Sequence, residues 1–288
     1  MDKIINGFLN VIKPQGMSSA FAVGIAKKRL KTNCGHMGTL DPMASGVLPL
    51  GLNRASRLFR YLLDKEKEYV ATLKFGYVTD TLDATGIVTE TTSLLPDKLT
   101  VEKSLTNFIG EISQIPPNYS AKNINGKRGY ELARQGVDFT LPAKTVTISA
   151  VELLDFDYDT AKIKVVCKGG TYIRSLVRDI GLTCGSLATM TALDRTKAGF
   201  FSYENGVEVE KIRDIQKDYQ SYLIRPDSVI DFPKLILDSL QAKRLLNGLR
   251  DKYDGDGLVR VYNGEFFWGV GRITDGVLKM EAFTRDDE

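Results

Sequence analysis

Between Thr32 and Asn53 the chain runs TNCGHMGTLDPMASGVLPLGLN, and in those 22 residues Asp41 is the only formally charged side chain apart from the titratable His36. At the chain's 26% charged residues, a run of this length would hold about six charges, so the segment is expected to be buried or pressed against something. One carboxylate is kept there. Gly35, Gly38 and Gly46 relax the backbone, and Pro42 biases Asp41 away from the helical region, which places the carboxylate on an irregular loop with the apolar VLPLGL behind it. An Asp-Pro turn whose carboxylate accepts local backbone hydrogen bonds is the alternative reading.

The remaining pattern is that of a globular α/β chain. With 288 residues, 43% of them hydrophobic, the chain can bury a sizeable core, and no low-complexity tract interrupts it. NGFLNVI (6–12) reads as a strand, followed by a turn at Lys13-Pro14-Gln15-Gly16 and a helix capped by Ser18 or Ser19 that runs to about Lys31. YVATLKFG alternates, with Tyr69, Ala71, Leu73 and Phe75 on one face, so Tyr69 is expected to point inward. AKIKVVC (161–167) leads through Gly169-Gly170 into a helix that Thr171 could cap, with Ile173, Leu176, Val177 and Ile180 on one stripe. Strands interspersed with helices imply an α/β or α+β core with a mixed sheet. After Pro226 the runs LVRVY, EFFWGVGRIT and VLKMEAF, separated by Asn263-Gly264 and Asp275-Gly276, read as a small β domain starting near Asp231, with Trp268 in its core.

Composition narrows the function. A single histidine and three dispersed cysteines, Cys34, Cys167 and Cys184, argue against a metal centre and a disulfide framework. No phosphate-cradling glycine loop is present, so neither metal nor cofactor is expected. The first residues lack the long apolar run of a signal peptide or membrane span, which predicts a cytoplasmic protein without membrane association. A net charge of +3 does not by itself declare nucleic acid as partner. Local clusters are needed, and Lys27, Lys28, Arg29 and Lys31, with Lys122, Lys127, Arg128 and Arg134, supply candidates for phosphate contacts.

The chain resembles the TruB family of tRNA pseudouridine synthases in NVIKPQGMSS (10–19), GHMGTLDPMASGVLPLGL (35–52), KEYVATLKFGYVTDTLDATG (67–86), IPPNYSAKNINGKRGYELARQG (115–136), KGGTYIRSLVRDIG (168–181) and TALDRTKAGFF (191–201). The resemblance implies the pseudouridine synthase fold, a mixed central sheet over 1–230 with an RNA-binding insertion at about 115–142, and a short PUA-type β domain over 231–288. It implies isomerisation of uridine 55 in the TψC loop of transfer RNA by base flipping, without a cofactor or an obligatory protein partner. Carried over by position, Asp41 would be the catalytic aspartate, Tyr69 the ring stacked on the target base and Arg174 the partner of Asp41. His36 would fill the gap left by the flipped uridine, and Tyr172 and Leu193 would line the pocket. From spacing alone, Arg174 could equally be an exposed helical arginine paired with Asp179. Two positions depart from the family's pattern: Met37 stands where many relatives carry threonine, and Lys122 precedes Asn123 where relatives place the lysine one position later.

Two other functions fit parts of the sequence. A non-catalytic tRNA-binding or folding chaperone would use the basic clusters and the β domain but gives no reason for a lone carboxylate in an apolar loop. A guide-RNA-dependent synthase of related fold would be expected to carry longer terminal extensions.

Overall fold

The computed structural model describes residues 6–120, 123–124, 126–135, 137, 139, 141–214 and 219–284. They fall into two compact units, one formed by Met1–Pro42, Gly46–Leu63 and Gly199–Glu288, the other by Met43–Ser45 and Asp64–Ala198.

In the first unit the strand Gly7–Lys13 pairs antiparallel with the Gly46–Leu52 part of the charge-poor segment, in the register Gly7↔Leu52 to Lys13↔Gly46. It also pairs parallel with Val207–Glu208 and antiparallel with Leu223–Ile224, so the sheet is mixed. Val47, Leu48, Leu50 and Leu52 are fully buried, as expected for a strand covered on both faces. The helix Ser19–Leu30 follows the predicted turn. Ser18 is its cap, accepting a hydrogen bond from the Phe21 amide, and Lys31 ends it in the left-handed region at φ 46°. Lys27, Lys28 and Arg29 occupy the last turn, where cations meet the negative end of the helix dipole.

The C-terminal β sheet also belongs to this unit. Lys234–Leu237, Gly257–Asn263, Phe266–Thr274 and Val277–Phe283 lie side by side in chain order, the first pair parallel and the others antiparallel. Trp268 is buried among Leu237, Val259, Val261, Ile273 and Leu278. Thr274 pairs with Val277, so Asp275-Gly276 is a two-residue hairpin, and both residues take positive φ (52° and 75°) as the twist of a tight hairpin demands. In the other hairpin Asn263 pairs with Phe266, which makes the turn Gly264-Glu265, one residue later than the Asn-Gly signal indicated.

In the second unit an antiparallel sheet runs in the order Ala188–Ala198, Lys67–Phe75, Thr160–Cys167, Lys144–Asp157, Gly110–Gln114. The helix Ile173–Thr183 packs against the Ala188–Ala198 strand, and its expected stripe is buried. Leu176, Val177 and Ile180 are fully buried and Ile173 is 5% exposed. Each of these side chains contributes about 1.5–3 kcal/mol of apolar burial. Thr171 does not cap this helix: its hydroxyl donates back to the Lys168 carbonyl, and the cap residue is Tyr172, with no side-chain capping bond. Mixed sheet, flanking helices and C-terminal β domain agree with the α/β (α+β) reading. Within the 115–142 stretch, Asn123–Ile124 and Lys127–Arg128 form a two-stranded ladder that leads into the helix Gly129–Arg134.

Candidate active site

Asp41 lies half-buried on the loop between the strands Cys34–His36 and Ala44–Leu52, and both of its chain neighbours are held by the Gly16–Ser19 turn. The Ser19 hydroxyl, 3% exposed, donates to the Leu40 carbonyl at 2.8 Å and accepts from the Leu40 amide at 2.9 Å. On the other side the Gly16 amide donates to the Pro42 carbonyl at 2.7 Å. Upstream, the Met37 amide donates to the Pro49 carbonyl at 2.8 Å, tying the loop to the apolar strand behind it. Gly38 and Gly46 take positive φ (89° and 105°), a conformation that L side chains resist. Met37, Leu40, Met43 and Ala44 are buried, while Asn33, Thr39 and Pro42 are exposed and Asp41 is half-buried, so the charge-poor run is anchored in the interior but its loop reaches the surface, with Asp41 its charged member.

The turn that holds this loop has its own support. Lys13 is fully buried and its ammonium donates to the carbonyls of Pro14 (2.9 Å) and Met17 (2.7 Å). A buried cation is costly unless its donors are used, and here they close the Lys13–Met17 turn. His36 sits half-buried, paired in register with Leu50.

In the second unit Tyr69 and Leu193 come together on one sheet face. Tyr69 lies opposite Arg195, and Leu193 lies opposite Ala71, so the tyrosine and the leucine are diagonal neighbours across adjacent strands. Both are 8% exposed. The inward orientation expected from strand alternation is what the sheet shows. Arg195, 1% exposed on the same face, was not singled out from sequence.

Arg174 is 6% exposed, which rules out the exposed helical arginine, and Asp179 is engaged instead by Arg178 at 2.8 Å. The Arg174 guanidinium donates to the carbonyls of Thr81 and Tyr119, both at 2.9 Å, and lies 3.5 Å from the Asp83 carboxylate. Asp83, 4% exposed, is a buried partner of Arg174 that sequence reasoning missed. Its carboxylate also accepts from the hydroxyls of Thr81 (2.9 Å) and Thr85 (2.5 Å) and from the Thr85 amide (3.0 Å). Leu82 beside it stands at φ 61°. That is an uncommon place for leucine, costing on the order of 1–3 kcal/mol. It is held by bonds to Met190, whose amide donates to the Leu82 carbonyl while the Ala84 amide donates to the Met190 carbonyl. The legible signal was the recurrence of threonine and aspartate in TDTLDATG.

Tyr172, half-buried, is fixed by a second unforeseen residue. Gln114 accepts from the Tyr172 amide at 2.8 Å and donates to the Tyr172 carbonyl at 3.1 Å. Of the candidate phosphate contacts, Lys27, Lys28, Arg29 and Lys31 are exposed. Lys122 lies outside the described residues, as do the side chains of Lys127, Arg128 and Arg134. No group of three or more His, Cys, Asp and Glu suited to a metal occurs among the described residues. No helix among them is long and apolar enough to cross a membrane.

A half-buried carboxylate on a backbone pinned at both flanks can act as nucleophile or as base without reorganising. The TruB family pseudouridylate synthase N-terminal domain matches residues 27–173, half of the chain, and two C-terminal domains of the same enzymes match 174–231 and 233–281. The chain belongs to the TruB family. It is 38% identical to a tRNA pseudouridine synthase B of Clostridium tetani over 96% of this chain and 98% of that one. It is 39% identical to one from Azoarcus sp. strain BH72 over 96% and 94%. Among solved structures, a Cbf5-Nop10-Gar1 complex contains a chain that superimposes with a TM-score of 0.72 at 25% identity, covering 97% of this chain and 85% of that one. An archaeal box H/ACA sRNP Nop10-Cbf5 complex gives a TM-score of 0.71 at 24% identity, which bears on the fold alone. Membership in the family makes this TruB chain an isomerase of the pseudouridine synthase fold.

Proposed function

We propose that the chain isomerises uridine 55 in the TψC loop of transfer RNA to pseudouridine, with Asp41 as the catalytic carboxylate. The observation that carries this reading is the loop of Asp41, a charge-poor segment in which the half-buried carboxylate has both chain neighbours, Leu40 and Pro42, hydrogen-bonded to the Gly16–Ser19 turn. The near full-length relatives named tRNA pseudouridine synthase B supply the substrate class.

In the reaction the bond between ribose C1′ and uracil N1 breaks, the base turns, and a bond from C1′ to C5 forms. The proton of C5 is lost and N1 regains one, so no redox agent or second substrate enters. The uridine has to leave the stacked loop first, at a cost of a few kcal/mol that recognition of the extruded base offsets. In this reading Tyr69 offers its face to the base, His36 fills the vacated space, Tyr172 and Leu193 line the pocket and Arg174 keeps Asp41 ionised. An arginine beside a carboxylate favours its charged form, as either a nucleophilic or an elimination route requires.

Residues 1–230 then form the catalytic domain, 115–142 an insertion that closes on the RNA, and 231–288 a PUA-like RNA-binding domain in a cytoplasmic enzyme that works without a protein partner. Lys122, Lys127, Arg128 and Arg134 are proposed as backbone contacts from the insertion. Base-resolved mapping of pseudouridine in transfer RNA incubated with the purified protein tests the assignment. Conversion confined to position 55 is expected. Modification elsewhere overturns the substrate, and binding without any conversion leaves an RNA-folding protein.

A further inference from the structure

Gln114 closes the strand Gly110–Gln114 and is 1% exposed. A buried amide must place an acceptor and a donor, and this one gives both to a single residue: its oxygen takes the Tyr172 N–H and its nitrogen donates to the Tyr172 carbonyl. The side chain thereby imitates a neighbouring strand for one residue, at the point where the chain leaves the Gly169-Gly170 bend and enters the helix Ile173–Thr183. Tyr172 is extended there, at φ −100° and ψ 109°, and its carbonyl also receives the Leu176 amide at 3.0 Å as the helix begins. With no side-chain cap at this helix start, Gln114 is the side chain bound to both backbone groups of the cap residue.

The next residue strengthens the link. The Ile115 carbonyl accepts from the Ser175 hydroxyl at 2.8 Å and from the Arg178 guanidinium at 3.3 Å, so the 114–115 pair is tied to the first turns of the helix at several points. Those bonds attach the helix body. The two from Gln114 instead fix the backbone of the aromatic cap residue, whose N–H lies ahead of the helical ladder and whose carbonyl shares only its first bond.

We propose that Gln114 is a positioning residue for the isomerisation, setting Tyr172 for the extruded base through its paired backbone bonds. This rests on the reading that Tyr172 lines the base pocket. The residue type is specific to the task. Glutamate would keep the acceptor for the Tyr172 N–H but set an oxygen against the Tyr172 carbonyl, and methionine would fill the volume with neither bond. Misplacement of a reacting partner by about 1 Å costs on the order of 100-fold in rate.

A mutant cycle on the full chain with whole transfer RNA tests this, measuring single-turnover conversion at saturating RNA, RNA affinity and thermal melting. Gln114→Met is expected to slow conversion by about 10- to 100-fold while RNA affinity stays near wild type, a loss in the reaction step rather than in binding. Gln114→Glu should fall between the two, and it carries the test if Gln114→Met does not fold. Ser175→Ala, which removes a bond to Ile115 from the same helix, should convert at the normal rate. In a Tyr172→Ala background the Gln114→Met effect should vanish, because residues acting as a unit are not additive. Full-rate Gln114→Met and Gln114→Glu proteins, or a Gln114 effect that adds in full to that of Tyr172→Ala, would overturn the proposal. Wild-type conversion by Tyr172→Ala would remove the pocket reading and the proposal with it, and it is told apart by that single variant.

Discussion

Ser19 holds Leu40 by both of its backbone groups, one residue ahead of Asp41. A single hydroxyl that donates and accepts on the same residue leaves that residue little freedom to rotate. Replacement by alanine strands a buried N–H and C=O, which costs about 1–3 kcal/mol. Ser19→Ala is therefore expected to lower the melting temperature and to slow conversion by about 10-fold or more through displacement of the Asp41 loop. RNA affinity should hold, since phosphate contacts dominate it. Paired melting, binding and single-turnover assays check the outcome; a Ser19→Ala protein that melts lower yet converts at full rate would make the contact purely structural.

Asp83 is the carboxylate observed beside Arg174, and both are almost fully buried. Asp83→Asn keeps the shape and removes the charge, while the bonds from the guanidinium to the carbonyls of Thr81 and Tyr119 stay in place. Breaking a buried pair costs about 3–5 kcal/mol as an upper bound. The 3.5 Å separation and the two remaining bonds should keep the loss below that ceiling. Reduced thermal stability together with slower conversion is the expected result. Unchanged values for both would show that the Asp83 charge contributes neither to stability nor to conversion.

These two residues also show where sequence reading stops. Periodicity made Tyr69, the Ile173–Ile180 stripe and the C-terminal strands legible, because burial is written into spacing of 2 and 3.6 residues. The burial of Met37, Leu40 and Met43 around Asp41 followed from the absence of charge, whereas the exposure of Thr39 and Pro42 did not. The cap could be narrowed only to Ser18 or Ser19, since both neighbours suit a helix start; tertiary contact with Leu40 assigned them different work. Asp83 and Gln114 stayed hidden because their partners lie far along the chain, at Arg174 and Tyr172. Thr171 was misread as a cap because a free hydroxyl before a helix can equally turn back to its own loop.

Glu281 in the C-terminal sheet predicts an acid-dependent term in stability. Its carboxylate accepts from Arg272 at 2.6 Å and from the Tyr61 hydroxyl at 2.8 Å, and these bonds, the Arg272 one first, hold it below the usual glutamate range. A folded value below the unfolded one, about 4.3, means the contribution is complete above that pH and is lost as pH falls through the folded value. Burial, then the bond to Glu281, pushes Tyr61 up to about 12, so its own contribution is complete below about pH 10 and fades as pH rises toward that value. Melting curves of wild type and Glu281→Gln should differ at pH 7 and converge below about pH 4. A gap that stays constant on acidification would remove the linkage.

Asp41→Asn is the decisive substitution, nearly isosteric and leaving Gly38, Pro42 and the bonds from Ser19 and Gly16 in place. Those bonds act on the backbone of Leu40 and Pro42 rather than on the carboxylate, so the loop should keep its course. An amide cannot serve as nucleophile or base at neutral pH, and conversion is expected to become undetectable. Binding to transfer RNA should persist, because charged contacts to phosphates do not involve this residue. A melt is measured alongside, since loss of a half-buried charge can also change stability. A folded, RNA-binding Asp41→Asn protein that still formed pseudouridine at the normal rate would sink the catalytic assignment. The same protein, bound and inactive, would separate chemistry from recognition and leave Tyr69, Tyr172 and Arg174 to be tested as parts of the pocket.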